Sequence, residues 1–334
     1  MNTTGLVIIG RNEGDRLRQC LLSAIKQLDP SQMVYVDSGS TDKSVDLARS
    51  LGLQVVELDM TIPFTAARAR NEGFTLLKGL NPQLDYVQFV DGDCEIVENW
   101  LGKAEQFLTE NPSFAVVCGR RRERFPEKTL YNYLCDLEWN TPIGEANACG
   151  GDSMMRVKAL EQVGGFNPNL IAGEEPELCQ RLRKKSWKIY RLDAEMTLHD
   201  ADMTRFSQWW KRTMRSGYAF ASFAALHRDV PKLFERKQGF NIWLWAFIVP
   251  AIALLGIWPT HGWSLLLLTG YGAMTFKIYQ NQRRRSFSVS NSFTYAFFCM
   301  LGRFPQLQGQ ISYYWNTWQG KTSSLIEYKL NPNS

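Results

Sequence analysis

Two aspartates flank a glycine at Asp91-Gly92-Asp93, directly after the apolar run Val87-Gln88-Phe89-Val90. A carboxylate pair at a strand end offers the oxygen ligands that a hard divalent cation takes, with positions left for water and phosphate. Gly92 lets the backbone approach a ligand closely. Such a cation offsets the charge that develops on a departing diphosphate. Alone, the triplet is weak evidence, because many surface turns contain one. A second carboxylate set, Gly173-Glu174-Glu175-Pro176-Glu177, stands just before a helical stretch over 178–185. One of these groups could take the proton from an attacking hydroxyl. Their spacing equally suits first-turn residues of a helix, where negative charge meets the positive end of the dipole.

Hydrophobic spacing indicates the elements that hold these groups. Residues 6–9 are a short apolar run ending at Gly10 and read as a buried strand. Leu17, Leu21, Leu22 and Ile25 recur at helical spacing over 15–26. Further strands are expected at 33–36, 54–58 and 86–90, and further helices at 44–51 and 66–78. Strands alternating with helices through short polar loops imply a mostly parallel sheet covered on both faces. In such sheets ligands bind beyond the carboxyl ends of the strands. Arg11-Asn12-Glu13, the stretch from Asp37 to Asp42, and Asp91 to Asp93 all fall there. Three strand ends meeting on one rim weigh more than any single motif.

The ordered set of motifs resembles the family-2 glycosyltransferases of GT-A fold. It runs Val7-Ile8-Ile9-Gly10-Arg11-Asn12-Glu13, Val36-Asp37-Ser38-Gly39-Ser40-Thr41-Asp42, Ala67-Arg68-Ala69-Arg70-Asn71-Glu72-Gly73, Asp91-Gly92-Asp93, Gly150-Gly151-Asp152-Ser153, Gly164-Gly165-Phe166, then Glu174-Glu175 with Arg181-Leu182. The likeness covers about the first 200 residues. It implies an α/β fold, a GT-A-type Rossmann-like sheet flanked by helices, and an inverting sugar transfer assisted by Mn²⁺ or Mg²⁺. It implies that Asp37 meets the nucleobase, usually uracil, and that Arg11 and Glu13 line the nucleoside pocket. Arg70 and Asn71 would lie near the donor, Asp91 would face ribose and diphosphate and join the metal site, and Asp93 would bind the metal. Gly151 and Asp152 would border sugar and acceptor. The family commonly has Glu-Asp at the base position, whereas this chain has Glu174-Glu175. Glu175 is the positional match for the base, with Glu174 the alternative one residue away.

His199, in Leu198-His199-Asp200, matches a point where some relatives use a histidine as a further metal ligand; a lone histidine is more often structural. Gln208-Trp209-Trp210-Lys211-Arg212 lies where processive relatives carry Gln-x-x-Arg-Trp. Lys211 and Arg212 break that pattern, so no polymerase is expected. Trp209 and Trp210 suit stacking on an acceptor sugar, or an amphipathic helix at a membrane. Arg120-Arg121-Arg122-Glu123-Arg124 reads either as an exposed strand end or as a phosphate contact to a polyprenyl-linked acceptor.

The C-terminal third differs in composition. Residues 240–258 hold no charged side chain, and 262–279 hold only Lys277. Each run approaches the ~20 residues needed to cross a bilayer. Lys232, Arg236 and Lys237 precede the first run and Arg283-Arg284-Arg285 follow the second. Basic flanks around a non-basic turn place both ends in the cytoplasm. The expected organisation is a catalytic domain over 1–238, with interfacial helices at about 203–238. A membrane region over 239–334 follows, with spans at about 240–258 and 262–280 and an interfacial or re-entrant segment at about 291–318. A buried helical pair in a soluble core is the alternative.

The net charge, 38 − 33 = +5, argues weakly for nucleic acid, and no nucleic-acid-binding signature accompanies it. Seven scattered cysteines without a C-x-x-C fit neither a zinc site nor a disulfide framework. They suit a reducing compartment, and the N-terminal apolar run is too short for a signal peptide. The expectation is an integral membrane protein of the inner or plasma membrane with its catalytic domain on the cytoplasmic side. Its expected partners are a nucleotide-sugar donor, UDP-linked by resemblance, a lipid-linked or saccharide acceptor, and membrane lipids. Polysaccharide or glycoconjugate biosynthesis is the expected setting. A polyprenyl-phosphate glycosyltransferase and a non-catalytic nucleotide-sugar-binding module are the alternatives. A nicotinamide dehydrogenase is disfavoured, since no G-x-G-x-x-G follows the first strand.

Overall fold

A computed structural model of the chain describes residues 3–230 and 234–321. Lys232, expected as a basic flank, and residues 322–334 lie outside them. The elements of the first part are β1 (Thr4–Gly10), α1 (Asp15–Ile25), β2 (Met33–Asp37), α2 (Ser44–Ser50), β3 (Gln54–Glu57), α3 (Ala66–Leu80), β4 (Tyr86–Asp91), β5 (Cys94–Ile96), α4 (Trp100–Glu110), β6 (Phe114–Glu123), α5 (Leu130–Trp139), β7 (Gly144–Ala146), β8 (Ser153–Arg156), α6 (Val157–Gln162), α7 (Glu174–Lys184) and β9 (Lys188–His199).

Eight strands follow the order β3-β2-β1-β4-β8-β6-β9-β5, and β7 pairs with β9. The first four are parallel, as their continuous apolar runs require: Leu6, Val7 and Ile8 of β1 and Val34 and Val36 of β2 are fully buried. The remainder corrects the expectation of a mostly parallel sheet. β8 runs antiparallel to β4 and to β6, and β9 is parallel to β6 but antiparallel to β5 and β7. The antiparallel register pairs Phe89 with Ser153, so the start of β8 lies beside the end of β4. That reversal carries Asp152 to Asp91.

Because β1 lies between β2 and β4, strand order reverses there, leaving a crevice at the strands' carboxyl ends. Helix α3 starts at Thr65, whose hydroxyl accepts the Arg68 N–H. It lies tightly on the sheet at Gly73, where a Cβ would stand 2.5 Å from a Val7 methyl and 2.7 Å from a Val36 methyl. Beneath β4, the fully buried Trp100 donates its indole N–H to Gln88 Oε1 at 2.9 Å, so its large apolar body is buried without an orphaned donor.

The described residues divide into two compact units, one ending at Thr204 and one beginning at Arg205. Composition changes later, near residue 238, but helix α8 (Phe206–Leu226) already packs with the C-terminal helices. These are α9 (Phe234–Trp243), a π-turn over Leu244–Ile248, α10 (Val249–Leu255), a 3₁₀ stretch over Trp263–Leu268, α11 (Thr269–Arg284), α12 (Val289–Leu301) and α13 (Arg303–Trp318). Glycines set the crossing of α8 and α13: a Cβ on Gly217 would stand 2.0 Å from the Gln306 carbonyl oxygen, and one on Gly309 2.0 Å from that of Met214.

Among the described residues, one helical run, Arg236–Leu255, is long and apolar enough to cross a membrane. The second expected span does not meet that description: it passes from 3₁₀ to α at Thr269 and ends on Gln280, Asn281 and Gln282. The expected turn between the runs is present. Thr260 Oγ1 donates to the Gly256 carbonyl and accepts the Ser264 N–H, and Gly262 takes φ +89°. Trp258 and Trp263 on this turn are 90% and 73% exposed.

Candidate active site

The loops after β1 and β2 are bound to each other. Asn12 donates its N–H to Ser40 Oγ and accepts the Thr41 N–H at 2.7 Å, and Gly14 donates to Asp42. Asp37 is buried beneath them: its Oδ2 accepts the Gly39 and Ser40 N–H groups at 3.0 and 2.8 Å, and Tyr35 donates to Oδ1 at 3.0 Å. Its carboxylate thus shapes the loop expected to meet a base. The Arg11 guanidinium lies 4.7 Å from the Phe64 ring centroid, and Glu13 pairs with Arg16 at 2.9 Å.

Across the crevice, Arg70 is the hub of a charged array. It rises from α3, is 2% exposed, and reaches Asp91 Oδ1 and Glu174 Oε1, each at 2.9 Å, and Glu175 Oε1 at 3.2 Å. Glu174, Glu175 and Glu177 do open a helix, as their spacing allowed, but their roles divide. Glu177 pairs with Arg181 at 2.7 Å, while Glu174 and Glu175 turn to Arg70. Burial and the adjacent Glu174 carboxylate push the Glu175 carboxyl up to about 7, against the pull of Arg70. Gly151 sits in the centre, where a Cβ would meet Arg70 Nη2 at 2.7 Å, Asp91 Oδ2 at 2.8 Å and Glu175 Oε1 at 3.2 Å. Only a residue without a side chain leaves these groups together.

Asp152 is wholly buried and supports the strand end. It accepts the Asp91 N–H at 3.1 Å and the Thr197 hydroxyl at 2.7 Å, and pairs with Arg121 at 2.9 Å. Arg121 also faces Asp91 Oδ2 at 3.6 Å, so both Asp91 oxygens look onto guanidinium groups. Asp93 has a different partner, His199 Nε2, 3.2 Å from its Oδ2. Burial disfavours the imidazolium, but Asp93 outweighs that and the His199 pKa is raised.

Ligand atoms of Asp93, Cys94 and His199 lie within 4.8 Å of one another. The Cys94 thiol is driven upward by burial and by Asp152 and Asp93, which keeps it protonated. The remaining carboxylate and imidazole donors fit a divalent cation such as Mn²⁺ that retains water or phosphate ligands. Asp91, expected as a further ligand, pairs with Arg70 and Arg121, and its carboxylate also lies within 4.8 Å of ligand atoms of Cys94 and Asp152.

Of the other expected residues, Asn71 exchanges two hydrogen bonds with the Phe166 backbone, at 2.7 and 2.9 Å, and so anchors the Gly164-Gly165-Phe166 turn to α3. Trp209 and Trp210 belong to the second unit. Trp209 is 2% exposed and packs edge-on against Phe298, and Trp210 donates to Gln308 at 2.9 Å. Both are engaged in helix packing. The arginine cluster disperses: Arg120 pairs with Asp136, Arg122 with the exposed Glu195, and Arg124 with Glu95 and Gln19. Only Arg121 enters the site, where it lies 5.6 Å from the Trp139 ring centroid. Sequence reasoning gave no role to Arg121 specifically, nor to Glu123, Trp139 or Thr197. The two-residue period of β6, which sends Arg121 and Glu123 inward and Arg122 outward, was the available signal.

Comparison with known proteins agrees with this geometry. Residues 6–164 match the family model described as Glycosyl transferase family 2. The chain is 27% identical over 143 residues to a TPR repeat-containing protein of Synechococcus elongatus, a match spanning 42% of this chain but only 33% of that protein. It is 22% identical over 226 residues to the O-antigen chain rhamnosyltransferase RfbN of Salmonella typhimurium, covering 63% of this chain and 70% of that one. Its fold is similar to that of the mannosyltransferase PcManGT from Pyrobaculum calidifontis, solved in complex with GDP-Man and Mn²⁺. That likeness has a TM-score of 0.60 at 15% identity, over 94% of this chain and 87% of the other. The GT-A-like α/β class is thereby shown.

Proposed function

We propose that the chain is an inverting glycosyltransferase that moves a sugar from a nucleoside diphosphate donor to a hydroxyl of a saccharide or lipid-linked acceptor. The observation that carries this reading is the Arg70 array. It joins Asp91, at the end of β4, to Glu175, a carboxylate raised to about 7, around the open Gly151. A base near neutrality and a diphosphate-binding strand end thus share one cleft. Glu175 takes the acceptor proton as the acceptor oxygen bonds to the anomeric carbon and the bond to the diphosphate breaks. Arg70 and Arg121 fix Asp91. Asp93 and His199 would hold a divalent cation, which when bound offsets the charge of the leaving diphosphate. Inversion rests on the family resemblance. A uridine donor rests on the resemblance alone, and a role in polysaccharide or glycoconjugate assembly on the resemblance and the rhamnosyltransferase relative.

The second unit supports attachment to a membrane. Its exposed side chains include Leu255 at 81%, Trp258, Trp263 and Trp318, and the basic Arg283-Arg284-Arg285 closes α11. Arg236–Leu255 supplies one span, and α12 and α13 suit the interface, with the first unit on the cytoplasmic side. The test uses the full chain in anionic lipid vesicles with a panel of labelled nucleotide sugars and Mn²⁺ or Mg²⁺. Metal-dependent nucleotide release, with the product's anomeric configuration opposite to the donor's, is expected. No binding or turnover with any donor overturns the assignment. Extraction of the chain from vesicles by alkaline carbonate overturns the span.

A further inference from the structure

Behind His199 stands Glu123, a carboxylate with no exposed side-chain surface. Its Oε2 lies 3.8 Å from His199 Nδ1, and among the described residues that buried nitrogen has no hydrogen-bond partner. Glu123 is itself held in place. Oε2 accepts the Ala201 N–H at 3.0 Å, and Oε1 accepts Asn132 Nδ2 at 3.1 Å and the Phe125 N–H at 3.2 Å. Asn132 is held in turn, since its Oδ1 accepts the Met203 N–H at 2.9 Å. The strands align the same residues: Glu123 of β6 is opposite His199 of β9, and His199 is opposite Cys94 of β5, next to Asp93. Trp139 meets the imidazole edge-on, 4.6 Å between centroids, and limits its rotation.

We propose that Glu123 is a positioning residue for the cation site, fixing the proton of His199 on Nδ1 and leaving the Nε2 lone pair beside Asp93. With a cation taking the Nε2 lone pair beside Asp93, Nδ1 would carry the proton, and an N–H there is attracted to Glu123 where a bare nitrogen would turn its lone pair on that carboxylate. Metal-binding histidines commonly donate their second ring N–H to a carboxylate, which sets tautomer and orientation. The inference rests on the reading of His199 as a ligand.

The test measures Mn²⁺ binding to the full chain by electron paramagnetic resonance, without nucleotide, and ¹⁴N coupling to the bound ion. Wild type should show imidazole nitrogen coupling, and His199→Ala should lose it. Glu123→Gln, nearly isosteric, should weaken Mn²⁺ binding about 10- to 100-fold and diminish the coupling, with the metal-free unfolding midpoint little changed. Absence of nitrogen coupling in wild type overturns the ligand reading and this inference together. Coupling lost in His199→Ala but retained in Glu123→Gln, with affinity within twofold of wild type, overturns the Glu123 role alone. A measurement on the wild-type chain covers the case in which Glu123→Gln does not fold. With only three histidines in the sequence, ¹⁵N labelling can resolve His199 in the Mg²⁺-loaded protein. A protonated Nδ1 is expected, and a bare Nδ1 with a protonated Nε2 overturns the proposal.

Discussion

If Glu175 is the base, the pH dependence of transfer reports its surroundings. An ordinary glutamate at 4.5 is almost fully ionised at pH 6, whereas one at about 7 is ionised to only about a tenth. kcat/KM, which follows the free enzyme, should therefore be half-maximal near pH 7, about tenfold below its plateau at pH 6 and about a hundredfold below at pH 5. The causes of the shift supply controls. Removing the like charge with Glu174→Gln should lower the midpoint, and removing the opposing charge with Arg70→Gln should raise it. The assay is nucleotide release at saturating metal from pH 5 to 9, with Glu175→Gln as the blank. A midpoint near 4.5, or one that ignores Glu174→Gln, refutes the reasoning. Near-normal turnover by Glu175→Gln with donor binding intact removes Glu175 from the mechanism.

Three further outcomes follow from the geometry. The folded-state pKa of Glu175 lies above its unfolded value, so the stability it contributes is complete below about pH 4.5 and is lost as pH rises through 7. Glu175→Gln should therefore match wild type in denaturant titrations at pH 4 and exceed it by about 3 kcal/mol above pH 8; parallel stabilities across that range would contradict the shift. Gly151→Ala should cut transfer at least a hundredfold while the chain stays folded by circular dichroism, because its Cβ would enter the Arg70–Asp91 contact; half-normal activity would show that the cleft has room. Gly309→Ala should lower stability by about 2–3 kcal/mol in the same titrations, since its Cβ would meet backbone rather than a side chain able to move; an unchanged midpoint would refute that crossing.

The parallel half of the sheet was legible because β1, β2 and β4 are mainly apolar runs followed by a polar rim. Sequence spacing put Asp37 and Asp91 at strand ends on one rim, whereas Glu175 came from the family resemblance alone. The antiparallel half was not legible. Pairing between β8 and β4 depends on how the chain returns after α5, and local pattern carries no record of that. Consequently the support that Asp152 gives to the Asp91 backbone was not read from the sequence. Arg121 was hidden in a run of like charges whose members part company once the strand alternates. The division at Arg205 was hidden too, because α8 is mixed in composition and only its partners reveal which unit it joins.

The glycine contacts between α8 and α13 also bear on how the second unit is made. Gly217 leaves the ribosome long before Gly309, and at ~5–20 residues per second several seconds pass between them. Throughout that interval the face of α8 that will receive α13 has no mate. A seam of backbone on backbone accepts few substitutes, so wrong pairings with α9 to α12 gain little from it. Helix α13 therefore closes the unit, and a chain truncated before Arg303 should emerge with that face of α8 uncovered and prone to aggregate.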